Sequence, residues 1–296
     1  MIRFKKERNF SRVMRIKVVV DSCGDLPDEV MEQFGIGLIP LNIEIGKMLR
    51  DRIDITPQEY YANIDKLDLP NTSAPNFAQW EEMFDEHLKD GYDKIVVVTL
   101  SSKFSNTYQQ GAVAAKKFYP KDVHIFDSLN ASGGEGLLGI RFAELLKQNY
   151  ELTDVLSFME NMRPEVIQIG YMDSLKMLVK SGRISRASEF FASLGRMKPM
   201  IITQDGENIP LCRVISLKNA KKRAVEEVLQ KTNPKDTYSM LITHADSIRD
   251  AIEIEEILKS KMKISQSYIG YMGPVVGSRV GPGGVLIAAI PDKKPE

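Results

Sequence analysis

The stretch Ile95–Lys117 has the sequence IVVVTLSSKFSNTYQQGAVAAKK, and its pattern indicates the fold class. The apolar, mostly β-branched run at its start is typical of a parallel strand that is buried on both faces. A hydroxyl-rich loop, residues 101–107, separates this strand from a predicted helix that ends before Pro120. Ser105 is the expected N-cap of that helix. A strand, a loop and a helix in this order predict an open α/β sheet.

The serines of this loop predict a binding site for a small anionic group. Ser101 and Ser102 come directly after the strand, and open α/β sheets bind ligands at the carboxyl ends of their strands. The start of the next helix adds partial positive charge there. The loop lacks the Lys-Ser/Thr pair that follows the glycines of a nucleotide-binding P-loop. We therefore expect an anionic head group smaller than a nucleotide.

The composition indicates an ordinary globular protein with room for two domains. Of 296 residues, 43% are hydrophobic and 27% are charged, and 40 basic residues balance 40 acidic ones. This balance gives no indication of nucleic-acid binding. Cys23 and Cys212 are the only cysteines, too few for a disulfide scaffold or a cysteine-rich zinc site. Since no secretory signal is recognisable, we expect a cytoplasmic protein.

The first fifteen residues form a basic extension. They are rich in lysine and arginine, with Glu7 as the one acid. The apolar run that follows, Val18–Val20, is too short for a signal-peptide core or a membrane span. We expect an extension outside the folded domains, with transient membrane contact as an alternative role.

The pattern of predicted elements changes near residue 165. Before it, strands alternate with helices, which favours a mostly parallel sheet. After it, Asp205-Gly206 predicts a tight turn between the strands Pro199–Thr203 and Ile209–Ile215. We expect two α/β domains, residues 16–164 and 165–296, the second with a mixed sheet that contains an antiparallel hairpin.

Local signals specify several elements of the first domain. Thr56 with Glu59, and Asn76 with Gln79, have the spacing of helix capping boxes. The alternating segment Ile36–Ile45 predicts one strand. In the second domain, the sequence predicts a further helix over Ser188–Leu194.

A glycine pattern after residue 130 matches the spacing of a dinucleotide-binding motif. Gly134, Gly136 and Gly139 have the G-x-G-x-x-G spacing, and Asp154 lies where the ribose-binding acid would be. However, Asp127 ends the preceding strand seven residues before the first glycine, whereas a true site turns directly off the strand. We expect these glycines to permit close helix packing, and we expect no nucleotide cofactor.

The three histidines offer one alternative function. None has the spacing of a metal-binding motif, so we expect no metal site. Ser102, His244 and Asp246 could form a hydrolytic triad, although no Gly-x-Ser-x-Gly elbow surrounds the serine. An enzyme that acts on a small carboxylate or phosphate through Ser102 and His244 is therefore the alternative hypothesis.

An ordered series of motifs runs from Ile16 to Ile290. Its members are DSCGDLP at 21–27, NTSAP at 71–75, TLSSKFSNTYQ at 99–109, KSGRIS at 180–185 and GPVVGSRVGPG at 273–283. This series resembles the DegV family of bacterial fatty-acid-binding proteins. Members of that family include the fatty-acid-binding subunit of bacterial fatty acid kinase.

The resemblance implies a fatty acid bound between the two domains. In the family, a threonine of the T-S-x-P loop and a serine of the L-S-S loop hold the carboxylate. The ligand-binding set that it implies here is Thr72, Ser73, Ser101, Ser102 and Arg279. The loop Gly182-Arg183-Ile184 would lie near the head group and face the kinase.

Arg279 replaces a histidine that is common in the family. An arginine keeps its charge near neutral pH and cannot shuttle a proton, but it can pair with a carboxylate or phosphate through two hydrogen bonds.

The resemblance implies a lipid-binding accessory subunit and not an enzyme. It would shield a long-chain fatty acid and present the carboxylate to a separate kinase, which makes acyl phosphate for phospholipid synthesis. Burial of a chain of about 16 carbons supplies roughly 12 kcal/mol before costs. A carrier of another amphiphile, without a kinase partner, is a further alternative.

Overall fold

A computed structural model describes residues 14–184 and 197–295 of the chain. The strands are β1 Ile16–Asp21, β2 Gly37–Ile39, β3 Asn42–Ile45, β4 Lys47–Arg50, β5 Asn71–Ser73, β6 Lys94–Thr99, β7 Val123–Asp127, β8 Ile167–Tyr171, β9 Lys198–Gln204, β10 Glu207–Val214, β11 Thr237–His244, β12 Lys263–Tyr271 and β13 Val285–Pro291. The basic extension up to residue 13 and the predicted helix Ser188–Leu194 lie outside the described residues.

The described α-helices connect these strands. They are α1 Asp28–Phe34, α2 Pro57–Asn63, α3 Phe77–Lys89, α4 Thr107–Phe118, α5 Gly133–Lys147, α6 Leu152–Met162, α7 Lys176–Lys180, α8 Leu217–Lys231, α9 Ile248–Lys261 and α10 Pro274–Val280. Among the described residues, no helix is both long and apolar enough to cross a membrane.

Two large sheets confirm the predicted fold class. The first has the order β2-β1-β6-β7 and is parallel throughout, with the strand of the Ile95–Lys117 stretch near its centre. The second has the order β10-β9-β8-β13-β11-β12, and only its β11–β12 pair is parallel. The predicted hairpin joins β9 to β10 through Asp205 and Gly206, whose φ angles of 51° and 84° suit a type I′ turn.

A third, three-stranded sheet differs from the sequence-based prediction. The segment Ile36–Ile45 is not one strand: β2 joins the parallel sheet, whereas β3 lies in a small antiparallel sheet of order β4-β3-β5. Pro40 lies between them and has no N–H with which to continue a ladder. The predicted loop at residues 71–75 begins as β5, in which Thr72 pairs with Ile43.

Helix α5 packs against both large sheets. Its buried side chains join one hydrophobic cluster with residues of the parallel sheet, such as Val20, and residues of the mixed sheet, such as Leu241. A methyl group on Gly136 would lie 2.5 Å from the carbonyl oxygen of Gly24. The glycines therefore serve close packing, as predicted. The domain boundary near residue 165 stays a prediction.

Most local predictions agree with the structure, with two corrections. Both capping boxes are present, at the starts of α2 and α3. The N-cap of α4 is Asn106 and not Ser105, whose hydroxyl oxygen accepts a hydrogen bond from the Thr107 amide at 3.3 Å. The glycine-rich segment at 273–283 contains α10, a helix too short to show a helical periodicity in the sequence.

A substitution tests the close packing of α5. Gly→Ala in a helix normally stabilises it by about 1 kcal/mol. Because a methyl group at Gly136 meets the backbone of Gly24, we expect Gly136→Ala to lower the free energy of unfolding by roughly 1–3 kcal/mol. Urea denaturation measures this change, with Ser157→Ala on the exposed face of α6 as the control. A stabilised Gly136→Ala variant would contradict the packing described here.

Candidate functional site

An apolar cavity lies where the carboxyl ends of β1 and β6 face α10 and the mixed sheet. Its apolar lining is Cys23, Leu41, Leu100, Phe104, Ala131, Leu178, Ile201, Val275, Val276, Val280 and Leu286. Its polar lining is Thr72, Ser73, Ser105, Gln168, Arg183, Asn208 and Arg279. These residues come from segments that follow strands of the parallel sheet, from the small sheet and from the mixed sheet, so the cavity lies between the two predicted domains.

A polar depression adjoins this cavity and is called the vestibule below. It shares Thr72, Ser73, Phe104, Ser105 and Arg183 with the cavity. It adds Ala74, Ser102, Lys103, Asn106 and Gln110. An apolar space with a polar vestibule suits an amphiphile, because the two parts match the two ends of such a ligand.

Arg279 extends from α10 to the small sheet. Its Nη2 donates to Thr72 Oγ1 at 2.9 Å, and its Nη1 donates to the carbonyl oxygen of Pro70 at 3.2 Å. Burial, and then the positive charge of Arg183, lowers the pKa of Arg279, although a guanidinium stays charged in proteins. Within the described ranges, no carboxylate lies in salt-bridge distance of Arg279. Its charge is therefore available to an anion.

Arg183 follows the end of α7 and also reaches the N-terminal half. Gly182, with φ of 73°, allows the chain to turn there, and the Arg183 amide bonds to the carbonyl oxygen of Leu178. The Arg183 Nε donates to the carbonyl oxygen of Phe104 at 3.1 Å. Ile184 packs at the edge of the apolar cluster around the cavity. This loop thus lies at the cavity, as expected, and its role toward a partner stays a prediction.

The two serines after β6 have different surroundings. Ser101 is fully buried; its hydroxyl donates to the carbonyl oxygen of Gly206 at 2.7 Å and accepts from the Lys103 amide. This hydroxyl therefore ties the β9–β10 hairpin to the loop. Ser102 lines the vestibule and not the apolar cavity. The predicted binding role of either serine stays a prediction.

Ser105 lines the cavity, although sequence analysis considered it only as a helix cap. The signal for it was present in the loop motif, where it is the third serine.

The residues of the alternative hydrolytic triad make other hydrogen bonds. The Nδ1 of His244 accepts from the Ser247 amide at 3.2 Å, and Asp246 accepts from the Tyr271 hydroxyl at 2.8 Å. Burial lowers the pKa of His244 to about 4, so its imidazole is neutral near pH 7. Ser102 lines the vestibule, and His244 does not. The structure does not bring the three together in a triad.

Comparison with known proteins identifies the family. Residues 15–292 match the family model described as "Uncharacterised protein, DegV family". The chain belongs to the DegV family. It is 30% identical over 280 residues to a protein of Thermotoga maritima named "Fatty acid-binding protein", covering 92% of this chain and 96% of that one.

Solved structures of DegV proteins have the same fold. A DegV lipid-binding protein of Thermotoga maritima is 28% identical, with a TM-score of 0.87 over 95% of this chain and 100% of that one. A fatty-acid-binding DegV protein of Thermus thermophilus is 26% identical, with a TM-score of 0.87 over 94% of this chain and 100% of that one.

A cluster of buried carboxyl groups in this DegV chain surrounds Cys23, one of the residues that line the cavity. Its members are Asp21, Asp25, Asp51 and Glu135, each at most 1% exposed. Burial raises the pKa of Asp21 to about 6 and the pKa values of Asp25 and Asp51 to about 7. Asp21 and Asp25 belong to the DSCGDLP motif, but no local pattern predicts a role for them, and none marks Asp51 or Glu135. Only the fold brings them together.

Burial disfavours the charged form of Glu135 in this cluster. Burial, followed by the negative charge of Asp21, raises the pKa of Glu135 well above its usual value. Neither carboxyl oxygen accepts a hydrogen bond from the described residues. A protonated Glu135 next to Asp21 avoids a second buried charge, since an unpaired buried carboxylate is costly.

The pH dependence of stability tests this state. When the pKa of a carboxyl is raised in the folded protein, the free energy of unfolding falls as the pH rises above the pKa of the unfolded state, which is 4.5 for glutamate. Glu135→Gln removes that titration but keeps the shape and a donor toward Asp21. We expect the free energy of unfolding of the variant, relative to that of the wild type, to rise by up to about 1.4 kcal/mol per pH unit as the pH rises from 5 to 7.

Urea denaturation at several pH values measures this difference. Glu151→Gln, at an exposed N-cap that lacks a side-chain cap hydrogen bond, is the control and should follow the wild type. If the free energies of unfolding of Glu135→Gln and of the wild type change in parallel across this pH range, Glu135 is ionised in the folded protein.

Proposed function

We propose that this protein binds a long-chain fatty acid, with the acyl chain in the apolar cavity and the carboxylate against Arg279 and Thr72. The observation that carries this proposal is the position of Arg279: it is a partly buried cation, free of a described carboxylate partner, at a largely apolar cavity. Fatty acid binding by relatives of this chain supports a fatty acid as the ligand.

The energetics agree with a tightly held lipid. About 16 buried carbons gain roughly 12 kcal/mol before association and ordering costs are subtracted. An association cost of about 4 kcal/mol leaves about 8 kcal/mol, which corresponds to a Kd of about 1 μM, and the contacts of the head group add to this. The carboxylate loses hydration on binding and therefore needs donors. Arg279 supplies a charge and several N–H groups, and the Thr72 hydroxyl supplies another donor.

The vestibule is the proposed route by which a partner reaches the carboxylate. Ser73, Ser102 and Arg183 line this polar space, and Ile184, next to Arg183 in the chain, packs at the edge of the apolar cluster around the cavity. We assign to the protein an accessory, non-enzymatic role in the cytoplasm, in which a kinase phosphorylates the presented carboxylate for phospholipid synthesis. Arg279 cannot shuttle a proton near neutral pH, so the phosphoryl-transfer chemistry would belong to the kinase.

Native mass spectrometry of the purified protein, with identification of the released ligand, tests lipid binding first. The expected result is one long-chain fatty acid per chain. A protein that is empty after purification and also ignores added palmitic acid would overturn the proposal.

Substitutions at the head-group residues test the orientation of the ligand. Loss of a hydrogen bond to a charged group costs about 1.5–3 kcal/mol, so we expect Arg279→Gln to weaken palmitic acid binding roughly 10- to 150-fold. Arg279→Lys keeps the charge without the forked geometry, so its affinity for palmitic acid should lie between those of the wild type and Arg279→Gln. Thr72→Val should weaken binding less, by about fivefold.

Calorimetric titration of delipidated protein measures these affinities, with Arg50→Gln in the exposed Arg50–Asp54 pair as the matched control. Wild-type affinity in both Arg279→Gln and Thr72→Val would mean that the carboxylate lies elsewhere.

Presentation to a kinase has its own test. With the catalytic subunit of a fatty acid kinase, ATP and palmitic acid, the wild type should support formation of acyl phosphate. Arg183→Gln should reduce this rate more than it reduces lipid affinity, because Arg183 borders the vestibule. A wild type that is loaded with lipid yet inactive with the kinase would leave a carrier without a kinase partner.

A further inference from the structure

We propose that Asp25 and Asp51 are positioning residues, which hold the first amide groups of the α10 segment and so fix Arg279 against Thr72. This inference rests on the proposed function, in which Arg279 holds the head group of the ligand. The two aspartates lie in the N-terminal half of the chain, whereas α10 lies in the C-terminal half. They therefore act across the junction that contains the cavity.

Asp25 binds the residue at the N-cap of α10. Its Oδ1 accepts from the Gly273 amide at 2.7 Å, and its Oδ2 accepts from the Ser132 hydroxyl at 2.6 Å. That hydroxyl also lies 2.7 Å from Thr243 Oγ1, at the end of β11. Both carboxylate oxygens of Asp25 thus have partners, and one of these partners belongs to the helix that carries Arg279.

Asp51 binds the same segment from the other side. Its Oδ1 accepts from the Val275 amide at 3.3 Å, and its Oδ2 accepts from the Ser22 hydroxyl at 2.7 Å. A methyl group at Gly273 would lie 3.2 Å from each oxygen of Asp51. The approach is close enough to explain a glycine at position 273, where φ is −62° and the backbone conformation itself does not require one.

Carboxylates suit this task for a physical reason. The first N–H groups of a helix have no partner inside the helix. A charged acceptor makes a stronger bond to them than a neutral one, and the positive end of the helix stabilises its charge. Arg52 supplies the nearby positive charge; its Nη2 is anchored on the carbonyl oxygen of Leu26 at 2.6 Å.

The contacts at the start of α10 are transmitted to the cavity within about two helical turns. Arg279 lies six residues beyond Gly273, about 9 Å along the helix axis. Val275, Val276 and Val280, which lie between or beside them, form part of the cavity wall. A shift of the helix start would therefore move both the guanidinium and one apolar wall.

A purely stabilising role fits these aspartates less well. Burial raises the pKa of both groups to about 7, so ionising them in the folded protein costs free energy above the unfolded pKa. Residues that cost stability and still occupy a fully hydrogen-bonded position are expected where function requires a fixed geometry.

Palmitic acid binding by variants tests the inference. We expect Asp25→Ala and Asp51→Ala to weaken binding at least tenfold. Asp25→Asn and Asp51→Asn should stay within threefold of the wild type, because the amide oxygen still accepts the α10 N–H. Glu135→Ala is the matched control: it removes a carboxyl of the same buried cluster that makes no hydrogen bond to α10, and it should also stay within threefold.

A double-mutant cycle with Arg279→Gln identifies the route of the effect. If the aspartates act mainly through Arg279, Asp51→Ala should weaken binding at least tenfold in the wild type and by no more than about threefold in the Arg279→Gln background, where only the displaced apolar wall still contributes. Equal effects in both backgrounds would overturn the inference, as would wild-type affinity in both alanine variants. Gly273→Ala, which keeps both carboxylates but crowds Asp51, should weaken binding in the same Arg279-dependent way and serves if an alanine variant does not fold.

The outcomes separate this inference from the proposed function. A wild type without affinity for palmitic acid would overturn the proposed function and the inference together. Binding by the wild type that is lost in Arg279→Gln but unchanged in the aspartate variants would overturn the inference alone.

Discussion

The hydrogen bond from Arg279 to Thr72 joins the two halves of the chain at the edge of an apolar cavity. Its geometry depends on two elements that the sequence separates widely, since α10 is near the C-terminus and β5 is in the first quarter of the chain. Arg183 makes a similar connection to the carbonyl oxygen of Phe104. The side chains of Arg279 and Arg183 thus each connect the two halves at the cavity, and both positive charges would attract a bound anion.

The same junction contains groups of opposite charge with a different role. The buried carboxylates do not line the cavity, and they bind the amide groups of α10 and of the DSCGDLP loop. The positive groups line the cavity itself. The charges that face the cavity are therefore positive, which would favour a negative head group near Arg279.

The fold class could be predicted because it depends on local patterns. The β-branched run at 95–100, the capping boxes and the Asp205-Gly206 turn each specify their own element with short-range interactions. The small third sheet could not be predicted, because β5 has only three residues and becomes a strand through its pairing with β3. The helix α10 has seven residues, three of them glycine, proline or serine, and is stabilised by packing and by distant carboxylates.

By itself, the sequence determined the family, the two sheet types and the list of candidate polar residues, since motifs and hydrophobic periodicity are local properties. Only the tertiary structure decided how those residues are used. It buries the Ser101 hydroxyl against Gly206, places Ser102 in the vestibule and brings Arg279 to Thr72. It also gathers Asp25, Asp51 and Glu135 into one cluster. The physical reason is that hydrogen bonds between distant residues form only after the sheets and α5 have packed together.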